Sequence, residues 1–253
     1  WRAVVSFTQP AVVIVKHLSP CGIASAGSLP KAFTAALASD PVSAYGGVIA
    51  VNIALDGATV AAFGDLFVEC IAAPGYSDDA RALLARRKNC RVLLMPDLAL
   101  EPDYELRSIN RGVLKQTLDR GDPDTAQWKV VSKRAPTDEE RHALRFAWKS
   151  CQHVKSNAIV LVQETATVGI GGGQPNRVDC VRIAVTRAGA KSQGSVMASD
   201  AFFPFKDSVA LAASAGVTAI VSPGGSVRDQ ESIDAADDAG LAMVFTGVRH
   251  FRH

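Results

Sequence analysis

The sequence has no pair of closely spaced cysteines. Its five cysteines stand at positions 21, 70, 90, 151 and 180, far apart along the chain. Structural zinc sites commonly use Cys-x-x-Cys pairs, so that kind of site is not indicated. Scattered cysteines in odd number favour reduced thiols, as in a cytoplasmic protein.

Long apolar runs are also missing. The longest, residues 11–15 and 158–162, are far shorter than the roughly 20 apolar residues that cross a bilayer, so we expect no membrane partner. The first residues, Trp-Arg-Ala-Val, show neither a signal peptide nor an initial methionine. We therefore expect the chain to begin inside a longer gene product.

Neither sign of charge dominates. Lysine and arginine number 27, aspartate and glutamate 25, and the formal net charge is +2. A nucleic-acid surface would require a basic patch or stripe, so we expect no nucleic-acid partner. The chain has 253 residues, 48% of them hydrophobic, which is enough for one large core or two small ones.

Short apolar segments alternate with helical patterns, and this alternation predicts an α/β layer fold. In the first hundred residues we expect strands at 11–15, 48–51 and 91–95 and helices at 28–38 and 77–88. Pro20 and Gly22 are expected to end the first strand. In the second half we expect strands at 158–162, 218–221 and 241–245, with helices capped by Asn176 and Asp207.

The stretch from 96 to 136 differs from its surroundings, since charged and turn-forming residues dominate it. We interpret it as an inserted or linking subdomain. Residues 137–140, Thr-Asp-Glu-Glu, form a capping box at the start of a helix. Leu144, Trp148 and Cys151 follow at helical spacing and indicate the face that packs on the core.

Polar and glycine-rich segments stand at the ends of predicted strands, where α/β folds place their ligands. Lys16 and His17 end the first strand. A lysine ammonium favours a neutral imidazole beside it, and a neutral imidazole is a competent general base. A surface Lys-His pair at a strand end is the alternative interpretation.

Two further segments suggest anion chemistry. Asn157 can donate to a developing oxyanion, or it can cap the end of a helix. The glycine run at 169–173 does not match the dinucleotide fingerprint, because Gln174 stands where the last glycine belongs. A glycine turn before a helix, with Arg177 in the first turn, can bind a phosphate or can be a plain tight turn.

Residues 202–205, Phe-Phe-Pro-Phe, form an apolar segment beside Asp207. An apolar slot with one acid suits a flat heteroaromatic ring, whereas the alternative is a core corner with a helix cap. Residues 223–226, Pro-Gly-Gly-Ser, are a second candidate for anion binding, with a simple helix start as the alternative.

Taken together and in this order, the segments resemble the AICAR transformylase domain of bifunctional purine-biosynthesis enzymes. The resemblance runs from about residue 11 to the last residue. It rests on Lys-His-x-Ser-Pro at 16–20, Ser-x-Tyr-Gly at 43–46, Lys-Ser-Asn at 155–157, the glycine run with its glutamine and arginine at 169–177, Ser-Asp-Ala-Phe-Phe-Pro-Phe at 199–205 and Thr-Gly-x-Arg-His-Phe-Arg-His at 246–253.

The resemblance implies an α/β fold of two cytidine-deaminase-like three-layer α/β/α halves, at 1–97 and 151–253, with an inserted helical or irregular subdomain at 98–150. It implies formyl transfer from 10-formyltetrahydrofolate to the 5-amino group of AICAR, giving FAICAR, in cytoplasmic purine biosynthesis. It also implies a homodimer with active sites at the subunit interface, and a response to potassium.

The resemblance also implies roles for individual residues. The catalytic positions are Lys16, His17 and Asn157. The nucleotide-binding positions are Tyr45, Gly46, Glu69, Arg177, Val178, Phe202, Arg249 and Phe251, with Glu69 standing where some members have an aspartate. The folate side is lined by Pro204, Phe205 and Asp207.

Two departures from the family pattern matter. Tyr45 replaces the usual phenylalanine, and the opening Arg-Tyr-Gly-x-Asn-Pro-His-Gln block is absent, as is the preceding cyclohydrolase domain. We therefore expect this chain alone to be inactive. A zinc-dependent deaminase would need His or Cys followed by Glu, and a Cys-x-x-Cys pair, and the sequence has neither. A non-catalytic nucleotide-binding or assembly fragment is the second hypothesis.

Overall fold

The computed structural model describes all 253 residues as helices on both faces of one eleven-stranded sheet, beside a separate two-stranded hairpin. The predicted α/β class is confirmed. None of the helices combines the length and apolarity needed to cross a bilayer. All five cysteines are free thiols.

The first half of the chain supplies one end of the sheet. Its elements are α1 (Arg2–Val5), β1 (Ala11–Lys16), β2 (Ser19–Ser25), α2 (Leu29–Leu37), α3 (Pro41–Ala44), β3 (Gly47–Val51), α4 (Gly57–Ala62), β4 (Val68–Ala73), α5 (Asp78–Leu84) and β5 (Arg91–Leu94).

The rest of the chain supplies the hairpin and the other end of the sheet. Its elements are β6 (Tyr104–Ile109), β7 (Gly112–Thr117), β8 (Lys129–Val130), α6 (Asp138–Cys151), β9 (Ala158–Gln163), β10 (Ala166–Gly172), α7 (Arg177–Ala188), a 3-10 turn (Gly189–Ser192), β11 (Val196–Ser199), α8 (Asp207–Ser214), β12 (Ala219–Ser222), α9 (Asp229–Asp238) and β13 (Ala242–Phe245).

The two halves repeat one topology. Apart from the four-residue α3 in the first half and the 3-10 turn in the second, each runs helix, antiparallel hairpin, helix, strand, helix, strand, helix, strand, from α1 to β5 and again from α6 to β13. The strand order is β5-β4-β3-β1-β2-β10-β9-β11-β12-β13-β8, so the second strands of the two hairpins meet in the middle. In both halves the hairpin and the next strand are antiparallel and the last three strands are parallel.

The halves are joined through β2 and β10 at one end of these strands only. Ala24 pairs with Ala166, and the Ser25 amide donates to the Thr165 carbonyl at 2.9 Å. The Thr167 hydroxyl accepts from the Ile23 amide at 2.9 Å. The opposite edge of the sheet, meaning the line of strand ends away from this junction, carries the site segments described below. It consists of the ends of β1, β10, β11, β12 and β13 and the starts of β2, β3, β4 and β9.

Glycines let a helix lie unusually close to the second strand of each hairpin. A Cβ added at Gly22 would come within 2.0 Å of the Ala36 carbonyl oxygen of α2. Added at Gly169 or Gly171, it would come within 2.1 and 2.0 Å of carbonyl oxygens of α7. The expectation that Gly22 ends a strand is therefore wrong, since Gly22 lies inside β2. The expectation that the run at 169–173 is a turn is also wrong, since most of its glycines lie in β10, where they allow α7 to pack closely.

Three apolar clusters hold the layers together. A cluster of 24 buried residues lies under α1 and α6 and draws side chains from both halves, such as Val13 and Val160. A cluster of 18 lies under α2, α4 and α5, and one of 16 under α7, α8 and α9. The two hairpins thus pack on both faces, which explains why β1 and β9 are apolar throughout their buried length.

The inserted stretch differs from the helical or irregular subdomain that was expected. It contains the β6–β7 hairpin and the short strand β8, and no helix lies between β5 and Thr137. The capping box at Thr137 and Glu140 is confirmed, and α6 packs on β9, β11 and β12. The domain limits at 97 and 150 stay predictions. Helix α5 ends at Leu84, so the basic residues 86–88 lie beyond it.

Candidate functional site

Lys16 and His17 lie where β1 turns into β2. Residues 17 and 18 both have positive φ, 50° and 66°, which makes the tight turn, and the His17 side chain is exposed. The Lys16 ammonium donates to the carbonyl oxygens of Tyr45 at 2.7 Å and Gly46 at 3.0 Å. The predicted residues of the first half, Lys16, Tyr45 and Gly46, are therefore in direct contact.

Tyr45 and Glu69 border this group. The exposed Tyr45 ring packs against Phe67, with ring centroids 5.6 Å apart. Glu69 lies in β4 and forms an ion pair with Arg91 of the neighbouring strand β5. The Glu69 carboxylate is therefore engaged by Arg91, in a solvent-exposed pair.

A buried ion pair organises the second half of the site. Asp200, which follows β11, is fully buried, and Arg177 at the start of α7 is 6% exposed. The two form a salt bridge, and Arg177 also donates to the Ser199 hydroxyl at 2.9 Å. The Asp200 carboxylate accepts further hydrogen bonds from the Ser156 hydroxyl at 2.6 Å and the Ala158 amide at 3.0 Å.

Sequence reasoning missed Asp200. Its position in Ser-Asp-Ala-Phe-Phe, directly after a strand, was the available signal, since an acid at the carboxyl end of a buried strand needs a cation partner. Arg177 was predicted to face a phosphate, yet its guanidinium is mostly committed to Asp200, Ser199 and Asn157.

Asn157 connects this pair to the loop after β10. Its side-chain amide donates to the carbonyl oxygens of Gln174 at 2.8 Å and Pro175 at 3.1 Å. Its side-chain oxygen accepts from Arg177 at 2.5 Å. Both amide hydrogens are therefore used inside the chain, which leaves no free donor for an oxyanion in this conformation.

The aromatic segment after β11 is split between core and surface. Phe203 is buried, whereas Phe205 is 51% exposed. The Arg249 guanidinium lies 5.1 Å from the centre of the Phe202 ring, so these two predicted nucleotide contacts are brought together. Asp207 is the first residue of α8, where its carboxylate accepts from the Ser208 amide at 2.7 Å, and Lys206 occupies the cap position.

The C-terminal tail runs across the start of β9. The Ser156 amide donates to the Arg252 carbonyl at 2.8 Å, and the Arg252 guanidinium donates to the His153 carbonyl at 2.7 Å. Burial, with Arg2 nearby, lowers the pKa of Arg252. Phe251 is 40% exposed and stacks on His253, with ring centroids 6.0 Å apart.

Two histidines near this tail have opposite protonation behaviour. His153 is buried, and burial lowers its pKa to about 3. The Ser6 hydroxyl donates to the Ala3 carbonyl, so its oxygen is free to accept from His153 at 3.1 Å. Burial alone would lower the pKa of His250, but hydrogen bonds with Asp119 and Asp122 raise it to about 9.

The predicted residues thus form two groups at one edge of the sheet. Lys16 and His17 end β1, and Asn157 precedes β9, with β2 and β10 between these strands. Three strand spacings amount to about 14 Å. No hydrogen bond joins the two groups, so each is assembled by its own half of the chain.

The sequence profile of the AICARFT/IMPCHase bienzyme family matches residues 1–187. The chain belongs to this family. The matched range includes Lys16, His17, Asn157 and Arg177, while the tail at 246–253 lies beyond it.

Individual members of the AICARFT/IMPCHase family are similar over almost the whole chain. The bifunctional purine biosynthesis protein PurH of Synechocystis sp. is 51% identical over 245 residues, which cover 97% of this chain and 48% of that protein. PurH of Cyanothece sp. is 52% identical over 254 residues, covering 100% and 49%. PurH of Myxococcus xanthus is 52% identical over 250 residues, covering 96% and 48%. The chain spans about half the length of these relatives.

Proposed function

We propose that this chain transfers a formyl group from 10-formyltetrahydrofolate to the 5-amino group of AICAR, giving FAICAR, in cytoplasmic purine biosynthesis. The observation that carries the proposal is the end-to-end similarity of the chain, at about 50% identity, to bifunctional purine biosynthesis proteins. The gathering of the motif residues at one edge of the sheet supports it.

The chemistry requires a base. The AICAR amine is conjugated to its ring and is a poor nucleophile, so attack on the formyl carbon is assisted by removal of the amine proton. We assign this role to His17. Its imidazole is exposed at the tip of the β1–β2 turn, where a substrate can reach it.

The tetrahedral intermediate requires donors for its oxyanion. The Lys16 ammonium has three hydrogens, of which two go to the carbonyl oxygens of Tyr45 and Gly46. The third is available, so we assign the oxyanion to Lys16. Asn157 has no amide hydrogen left, and in this conformation its contribution is to hold Arg177 and the loop at 174–175.

The remaining predicted residues form the substrate walls. We propose that Arg249 and Phe202 contact the nucleotide together, since the guanidinium already lies over the ring. Pro204 and Phe205 are exposed and suit the folate side. The other residues assigned to substrate binding are Tyr45, Gly46, Glu69, Arg177, Val178, Phe251 and Asp207.

We propose a homodimer with the active site at the subunit interface. Within one chain, His17 and Asn157 are separated by at least three strand spacings, about 14 Å or more, because β2 and β10 pair only at their other end. A second copy that brings its Arg249 face against the first copy's His17 would close this gap. We also propose that potassium favours the reaction, as the family resemblance implies.

The experiment is a turnover assay with AICAR and 10-formyltetrahydrofolate. In the protein extended at its N-terminus to the length of the relatives, His17→Ala should lower kcat by at least about 100-fold, the usual scale for loss of a general base. AICAR affinity should change far less. His142→Ala, at an exposed position on α6, is the matched control and should keep full turnover. Near-normal kcat in His17→Ala would refute the assignment.

A non-catalytic nucleotide-binding or assembly fragment is the second candidate. The observation that favours it is that the chain spans about half of its relatives. The assay is therefore run on this chain and on a version extended at its N-terminus to the length of the relatives. Turnover by the extended version alone, with AICAR binding by the short one, would support the fragment.

A further inference from the structure

His250 connects three separate parts of the molecule. Its side chain is 2% exposed. One ring nitrogen, Nδ1, lies 2.7 Å from an Asp119 carboxylate oxygen, and the other, Nε2, lies 3.0 Å from an Asp122 carboxylate oxygen. The ring also packs on Trp148 of α6, with centroids 4.8 Å apart. The C-terminal tail, the segment after the hairpin and α6 therefore meet at one side chain.

The geometry fixes the charge of this histidine. Ionised carboxylates only accept hydrogen bonds, so both ring nitrogens must carry a hydrogen, and a ring with two N–H groups is an imidazolium. The carboxylates are themselves held, since Trp128 and Trp148 donate to Asp122 at 3.2 and 2.9 Å, and Gln152 donates to Asp119 at 3.1 Å.

The backbone on either side of His250 leads to the proposed nucleotide site. The His250 amide donates to the Asp200 carbonyl at 3.3 Å. The preceding residue, Arg249, is exposed and lies over Phe202. The long Arg249 side chain makes this cation–π contact but no hydrogen bond or ion pair within the chain, so its position depends on where the tail is anchored.

We propose that His250 is a positioning residue, whose imidazolium fastens the tail at 249–253 to Asp119 and Asp122 and so holds Arg249 ready for an anionic ligand. The part of this inference that concerns AICAR rests on the proposed function. The fastening itself does not, because it is a contact between segments of the chain.

The charged and titratable groups that face His250 are few. From the segment after the hairpin come the two carboxylates of Asp119 and Asp122. His153, at the end of α6, has its pKa lowered to about 3 and is neutral, and Arg252 lies farther along the tail. His250 is therefore the group whose titration breaks the connection, on the alkaline side near pH 9.

The first measurement follows the tail without any substrate. Carboxypeptidase digestion of the 253-residue chain, followed by mass spectrometry, reports whether the tail is held. We expect slow digestion at pH 7 and faster digestion as pH rises through about 9. In the double variant Asp119→Asn with Asp122→Asn, the midpoint should move down towards the ordinary histidine value of about 6.5.

A second variant separates positioning from folding. His250→Phe keeps a ring against Trp148 but has no hydrogen-bond donors, so its tail should be digested quickly at every pH. The unfolding transition of the whole chain should stay cooperative in this variant. His142→Phe, exposed on α6, is the matched control and should behave like the unchanged chain.

The third measurement is AICAR affinity by calorimetry. Loss of the fixed Arg249 contact in His250→Phe should raise the Kd about 10-fold at pH 7, and kcat of the N-terminally extended version should change by less than about twofold. In the unchanged chain the Kd should rise above pH 9, and in His250→Phe it should not.

Each outcome decides one question. A tail that stays protected in His250→Phe, or a digestion midpoint that the double variant does not move, would overturn the fastening. A released tail with unchanged AICAR affinity would overturn the positioning role. If the unchanged chain and its N-terminally extended version both fail to bind AICAR, the proposed function fails, while the digestion result still decides the fastening.

Discussion

At the scale of single residues, the site depends on a buried charge pair, Arg177 with Asp200. Asp200 accepts from a guanidinium, a hydroxyl and a backbone amide, and Arg177 donates in turn to Ser199 and Asn157. Such a network fixes the loops before β9, after β10 and after β11 relative to one another. The predicted site residues of the second half are thus held in place by a structural ion pair and its hydrogen bonds.

Removing one partner of this pair should be costly. Arg177→Ala leaves the Asp200 carboxylate buried without its cation, so we expect a loss of about 3–5 kcal/mol in the free energy of unfolding. Urea denaturation measures it. Arg182→Ala on the same helix is the matched control, because its ion pair with Asp179 is exposed, and it should cost less than about 1 kcal/mol. Equal losses in the two variants would contradict the role of burial.

At the scale of elements, the predictable strands were those with continuous apolar side chains. The strands β1 and β9 were predicted from their runs of valine, isoleucine and leucine. Their partners β2 and β10 were not predicted, because proline and glycine in the local sequence indicate a turn. The sequence alone does not show that a helix packs against these glycines. Close approach of two backbones is a tertiary fact, and only the packed structure displays it.

The same close approach predicts which glycine cannot be replaced. Gly171→Ala would place a methyl group 2.0 Å from the Cys180 carbonyl oxygen of α7, so helix or strand must shift. We expect destabilisation of at least about 2 kcal/mol, measured by thermal and urea unfolding. Gly27→Ala is the control, since a Cβ there meets nothing within 4 Å. A Gly171→Ala protein as stable as Gly27→Ala would show that α7 moves freely.

At the scale of the whole molecule, the sequence indicated the α/β class but not the strand order. Alternation of elements is local, whereas the meeting of β2 with β10 depends on contacts 140 residues apart, such as Thr165 with Ser25. The candidate site was foreseen as motifs, chiefly through the resemblance. The buried partner Asp200 and the connection made by His250 were not foreseen, because each depends on segments that are distant in sequence.

The opposite pKa shifts of two histidines predict a maximum of stability near pH 6.5. The raised pKa of His250 gives stability that is complete below about pH 6.5 and is lost as pH rises through about 9. His153 is held neutral, so the unfolded chain binds the extra proton below about pH 6.5, and stability falls from there towards pH 3. The lowered pKa values of Asp119 and Asp122 add to the acid loss.

Unfolding free energies measured from pH 4 to pH 10 should therefore be greatest near pH 6.5 and fall on both sides of it. The difference between the unchanged chain and His250→Phe isolates one group, and it should shrink as pH rises from about 6.5 to about 9. A difference that stays constant from pH 7 to pH 10 would show that His250 contributes without its charge.

The apolar cluster under α1 and α6 couples the stability of the two repeated halves. Its 24 residues come from both halves, so neither half can unfold alone without exposing to water apolar side chains of the other. The repeat resembles two independent units in its connectivity, yet it shares one interior on this face. The whole chain should accordingly unfold in one cooperative transition. A destabilising change in either hairpin should therefore lower the stability of both halves.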